Sequence, residues 1–149
     1  MIVSKKVKIN NTKEKVWAII TDIEHSSDFI GGITDIEIIT PAGDDLVGLK
    51  WKETRRIFGK ESYEVMWITE YQQNHYYKTR AENHGAIYVS CLTITEDGDS
   101  VILEMSFEGR GTTFISKTMS KVFGNMMKKS MGKTLEQDLQ DIKQACEAQ

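Results

Sequence analysis

Alternation marks the start of the chain. From Ile2 to Ile9, Val3, Val7 and Ile9 fall on one side and Lys6 and Lys8 on the other, the period-two signature of a half-buried strand. Asn10-Asn11 interrupts it. Asn11, with Glu14 three residues on, predicts a helix N-cap with a capping box. Val16, Ile19, Ile20 and Ile23 then recur at i, i+3, i+4 and i+7, one face of an amphipathic helix. Asp22 and the polar run Glu24-His25-Ser26-Ser27-Asp28 end it. A second short helix is expected through Phe29-Ile30, broken by Gly31-Gly32.

From there to about Gly109 the pattern is that of strands. Ile33 to Thr40, Leu46 to Phe58, Glu61 to Tyr71, Tyr76 to Glu82, Ala86 to Thr95 and Val101 to Glu108 are separated by short turn-forming segments, among them Pro41-Ala42-Gly43-Asp44-Asp45 and Glu96-Asp97-Gly98-Asp99. Such links join antiparallel neighbours into a meander, which can cover one face and leave the other wet. Gly109-Arg110-Gly111 closes the series. The remainder, from about Thr113 to Ala148, contains no proline and is helical in pattern.

In that last stretch Ile115, Met119, Phe123, Met127, Met131, Leu135 and Leu139 recur every four residues. A step of four drifts the stripe by about 40°, so a straight helix on a flat surface cannot bury all of it. Either the helix bends near Gly124 or Gly132, or it lies obliquely across a curved sheet. The first half carries Lys117, Lys121, Lys128, Lys129 and Lys133, and the second Glu136, Asp138, Asp141 and Glu147, a split that reads as a solvated face or, alternatively, as a first half that attracts an anionic ligand or membrane surface. It runs against the helix dipole. Met119, Met126, Met127 and Met131 cluster here, and methionine both fills gaps and adapts to varied guests. Where a long helix crosses a bent sheet without touching it everywhere, the gap is a cavity with a greasy wall.

Composition narrows the picture further. The chain has 149 residues, is 40% hydrophobic and 28% charged, and has a formal net charge of −3, values that fit a single globular domain over residues 1–149 and give no electrostatic footprint for nucleic acid. No apolar run approaches the roughly 18 residues of a membrane span, no signal peptide is legible at Met1-Ile2-Val3-Ser4, and Cys91 and Cys146 form no CxxC pair. The expectation is a soluble cytoplasmic protein with free thiols and no integral membrane part. His25, His75 and His84 sit in or beside loops with no shared spacing, so no metal site and no cofactor are expected. Neither a GxSxG elbow, nor a Cys-His signature, nor a P-loop occurs.

The order strand, two short helices, six strands and one long helix resembles the START-like (SRPBCC, helix-grip) superfamily. In particular it resembles the bacterial polyketide cyclase/dehydrase-like lipid-binding proteins, related to the birch pollen allergen fold. The residues that carry the likeness span nearly the whole chain: Ile9 through Asn11 and Glu14 to Val16-Trp17, then Asp22, Val47-Gly48-Leu49-Lys50-Trp51, Thr69-Glu70-Tyr71, and Leu135 through Asp138-Leu139 to Ile142-Lys143. Gln72-Gln73 stand where relatives commonly have a Pro-Pro pair, and Ser27-Asp28-Phe29-Ile30 where they often have Pro and Trp. The resemblance implies an α+β helix-grip fold, a seven-stranded antiparallel curved sheet wrapped around a long C-terminal helix, with two short helices between strands 1 and 2. It also implies a small hydrophobic partner such as a lipid, an isoprenoid or an aromatic polyketide-like compound. Cyclases or dehydratases, quinone-binding proteins and chaperone activators share the superfamily and remain alternatives.

Strand parity nominates the lining. Val101, Leu103, Met105 and Phe107 share one face of their strand; Tyr88, Leu92 and Ile94 share one of the strand before; Leu49, Trp51, Glu53 and Arg55 share one of the third. If Leu49 and Trp51 face inward, Glu53 and Arg55 are carried in with them and can pair, oriented towards a polar group of the ligand; the alternative is a twist that leaves both in solvent. Between Glu61 and Tyr71 the parity stays open, with Tyr63, Val65 and Trp67 competing against Met66 and Ile68. The expected ligand-contacting set is Trp51, Tyr77, Tyr88, Leu92, Met105, Phe107, Met119, Phe123 and Met127. Phe29 and Ile30 are expected at the entrance, and Glu53 and Arg55 as the polar pair. As an enzyme, the chain would offer only Glu53, Arg55 and Tyr88 for acid-base work, which favours binding over catalysis.

Overall fold

The computed structural model describes residues 1–57, 59–111 and 114–148, with the backbone alone over 114–125. Strands β1 (Ile2–Ile9), β2 (Ile33–Thr40), β3 (Lys50–Ile57), β4 (Lys60–Gln72), β5 (Tyr76–Asn83), β6 (Ala86–Asp97) and β7 (Ser100–Gly111) form one sheet. Helix α1 (Lys13–Ile20) and a 3₁₀ turn (Ile23–Asp28) lie between β1 and β2, and α2 (Phe114–Glu147) follows β7. The spatial order is β1-β7-β6-β5-β4-β3-β2, so the meander runs in sequence and the first strand docks beside the last. Every pairing is antiparallel. The helix-grip architecture expected from the resemblance is the one formed.

The core gathers beneath the C-terminal half of α2. Leu135, Leu139, Ile142 and Cys146, spaced to share one helical face, are buried against Val16 of α1, Ile9 of β1 and Val101 and Leu103 of β7. At Gly132 the helix lies close to β1, and an added Cβ would lie 3.3 Å from Lys5 Cε and 3.7 Å from Val3. At the far end of the sheet, Arg55 of β3 bonds Asp138 of α2. Strands β1 and β7 on one side and β3 on the other therefore reach the same helix, and a space is left between it and the strands in between, β4 to β6.

Three local expectations change. The N-cap of α1 is Thr12, whose hydroxyl accepts from Lys15 N–H at 3.3 Å, while Asn11 uses its amide to bond the Cys146 carbonyl at 2.7 Å and so ties the helix start to the end of α2. The second short helix is 3₁₀ and stops at Asp28, leaving Phe29 and Ile30 in the turn that follows. Strand β3 begins at Lys50 and not at Leu46. Asp45 accepts from Val47 N–H, Leu49 N–H turns back to the Leu46 carbonyl, and Gly48 takes φ +93°, so this segment is a turn despite its apolar residues. The open parity of β4 resolves towards Met66 and Ile68: Ile68 is buried and Met66 packs on the core, while Tyr63 stands 62% exposed.

Candidate functional site

The space left between the bowed sheet and α2 is a cavity of about 600 Å³. Parity builds its floor. On β3, Trp51, Glu53 and Arg55 face it; on β4, Ser62, Glu64 and Met66; on β5, Tyr77, Thr79 and Ala81; on β6, Tyr88, Ser90 and Leu92; on β7, Met105 and Phe107. Phe29, Ile30 and Ile33 close it from the segment after the 3₁₀ turn, and α2 supplies Met127, Met131, Leu135 and Asp138 among others. Ile57, Met126 and Met127 line the space yet are 47%, 71% and 48% exposed, so the cavity opens between the end of β3 and this part of α2.

Of the residues expected to contact a ligand, Phe29, Ile30, Trp51, Glu53, Arg55, Tyr77, Tyr88, Leu92, Met105, Phe107 and Met127 therefore converge on one hollow. The side chains of Met119 and Phe123 lie outside the described residues. Tyr88 and Phe107 stack with ring centres 5.6 Å apart. Gly109 lets them do so, because a Cβ there would sit 3.1 Å from the Tyr88 ring. Tyr77 plays a second part: its hydroxyl donates to the Ile20 carbonyl at 3.0 Å and its ring meets Trp17 edge-on, so it pins α1 to the sheet. Burial pushes its phenol well above the ordinary value.

The polar end is a chain of three groups. Arg55 Nε donates to Glu53 Oε2 at 2.7 Å, and Nη1 and Nη2 donate as a fork to Asp138 at 3.2 and 2.7 Å. Trp51 Nε1 makes a longer contact of 3.4 Å with Glu53 Oε1. The strand does not twist its pair into solvent: the side chains of Glu53 and Arg55 are 13% and 21% exposed. Burial opposes the guanidinium charge, but the Asp138 hydrogen bonds and the two carboxylates outweigh it and hold Arg55 protonated. Burial likewise pushes the Asp138 carboxyl up, and Arg55 pulls it part of the way back. Gly32 leaves room for this fork, since a Cβ there would lie 3.1 Å from Nη1.

Asp138 is the residue that strand parity could not supply. Its signal lay in the helix pattern, where it stands in the apolar stripe of Leu135, Leu139 and Ile142, a position that buries it. Glu64, Thr79 and Ser90 were hidden with the parity of β4 and by the mixed polarity of β5 and β6. Glu64 Oε1 accepts from Asn83 Nδ2 at 3.0 Å, and its charge, after burial, raises the Tyr88 phenol. Among the described residues no three His, Cys, Asp or Glu side chains converge as a metal site. No described helix is long and apolar enough to cross a membrane. His25 pairs with Asp22 at 2.8 Å on the 3₁₀ turn, away from this lining.

The family model for polyketide cyclase/dehydrase and lipid transport matches residues 1–147. The chain belongs to that family. A search of curated proteins finds no match. Solved structures share the fold at low identity. A START superfamily protein from Mycobacterium smegmatis superposes with a TM-score of 0.80 at 20% identity, covering 99% of this chain and 97% of that one. The Zhui aromatase/cyclase from Streptomyces sp. R1128 gives 0.77 at 11%, covering 99% and 93%. Ara h 8.0201 gives 0.68 at 16%, covering 100% and 99%. In this family's helix-grip frame, the cavity lies between the sheet and the terminal helix.

Proposed function

We propose that this polyketide cyclase/lipid-transport family protein binds a small, largely hydrophobic molecule, such as a lipid, an isoprenoid or an aromatic polyketide-like compound, in the cavity between the sheet and α2. One observation carries the reading: a hollow of about 600 Å³ whose wall is mostly aromatic, aliphatic and methionine side chains with a few convergent polar groups. Tyr88, Phe107, Met105, Leu92 and Trp51 provide apolar contact, and Phe29 and Ile30 cover one flank. Binding is favoured over turnover because Arg55, the one guanidinium of the described lining, is already held by Glu53 and Asp138.

Native mass spectrometry of the protein purified from its own host tests this. An apolar small molecule held at one per chain is expected; a protein that stays empty and fails to take up any apolar probe contradicts it. Catalysis is separated by Tyr88→Phe, which keeps the aromatic contact and removes only the phenol: loss of turnover with affinity retained would mark an enzyme, whereas a carrier keeps its delivery rate.

A further inference from the structure

The charges on the cavity wall are unbalanced, and they say which polar group a guest can carry. Three carboxylates, Glu53, Glu64 and Asp138, face one guanidinium, Arg55, among the described lining side chains. Arg55 is already spent, with Nε on Glu53 and both terminal nitrogens on Asp138. Glu53 and Glu64 are directly opposite each other in the β3–β4 register, on the same face. Like charges so placed repel. Each is only partly satisfied. Glu53 Oε1 has the 3.4 Å contact from Trp51, and among the described residues Glu64 Oε2 receives no hydrogen bond while Oε1 takes one from Asn83. The amino group of Met1 is a second cation at this lining, so among the described residues three carboxylates stand against two cations; it lies at the β1–β7 end of the sheet, not at the β3–β4 pair, and donates to the Gly109 carbonyl.

We infer that the cavity selects an apolar molecule whose polar end donates hydrogen bonds, a hydroxyl or a protonated amine, and rejects one that ends in a carboxylate. The donor sits between Glu53 and Glu64 and relieves their repulsion. An anionic end would meet two carboxylates in a partly buried site with no free guanidinium to receive it. This rests on the binding function proposed above and adds the chemistry of the head group. It also revises the sequence expectation for the polar pair: Glu53 orients the guest as an acceptor, and Arg55 holds Glu53 in place.

The test uses the full chain and three probes with the same tail, dodecanol, dodecylamine and dodecanoate, each displacing the neutral fluorophore N-phenylnaphthylamine. Dodecanol and dodecylamine are expected to bind at least about tenfold more tightly than dodecanoate, a gap of about 1.4 kcal/mol. Glu64→Gln is expected to shrink the dodecanol-to-dodecanoate ratio several-fold, and Glu53→Gln likewise if it folds; Glu64→Gln carries the test if it does not. Dodecanoate binding as tightly as dodecanol, or a ratio unmoved by Glu64→Gln, overturns the inference and leaves the binding function standing. Failure of the fluorophore and all three probes to bind overturns both.

Discussion

At the scale of single residues, the molecule depends on Arg55. A buried guanidinium is tolerated because two carboxylates neutralise it, and removing one partner strands the other. Asp138→Ala should therefore cost about 3 kcal/mol in chemical denaturation, whereas Arg55→Met with Asp138→Leu should cost less than the sum of the two single changes. Additive losses would show that the fork contributes little. Cys146 is the second case. Burial, then the Glu147 charge, pushes its thiol up to about 11, so iodoacetamide at mildly alkaline pH should modify it only after unfolding, while the half-buried Cys91 reacts in the folded protein. His25 is the third. The Asp22 hydrogen bond raises its imidazole above the ordinary value. The pair's stabilisation is thus full below the unfolded value and fades as pH rises through the folded one. In an NMR titration the ring should fall back towards its ordinary value in Asp22→Asn, with Glu24 and Asp28 still raising it. Glu53 and Arg55 were legible as a pair because strand parity is local. Asp138 was not tied to them because the contact spans 83 positions in sequence, which no periodicity encodes.

At the scale of elements, the caps and crossings decide the outcome. Thr12, not Asn11, caps α1, so Thr12→Ala should cost about 1 kcal/mol through the helix start. Asn11→Ala should act instead by loosening the end of α2. The cap was misplaced because Asn11 and Thr12 are both good capping residues, and the choice is made by the distant Cys146 carbonyl. Gly132 faces β1 at short range, yet the neighbour nearest an added methyl is the flexible end of Lys5. Gly132→Ala should therefore gain roughly 0.5 kcal/mol from helix propensity in thermal unfolding, while Gly132→Val should lose stability by pressing on Val3. The parity of β4 was undecidable from sequence because apolar residues occupy both of its faces. It is fixed by register with β3 and β5 and by the irregularity between Ile68 and Glu70. The expected start of β3 failed because Leu46 and Val47 look strand-like, while Asp45 and Gly48 dictate a turn.

At the scale of the whole molecule, the architecture was readable because it is a sum of local signals: seven runs of alternation, short turns, and one long helix without proline. The cavity was readable only as a consequence of misfit, from an apolar stripe that drifts around α2. Its polarity was not, since that depends on which carboxylates meet across strands. The account stands on the hollow between sheet and helix being the place where a guest sits. A crystal structure of the protein saturated with N-phenylnaphthylamine tests that most directly. The guest should lie inside, against Tyr88, Phe107 and Met105 and beneath Met131. A guest found only on the outer surface, with Tyr88 and its neighbours collapsed onto α2, would contradict it.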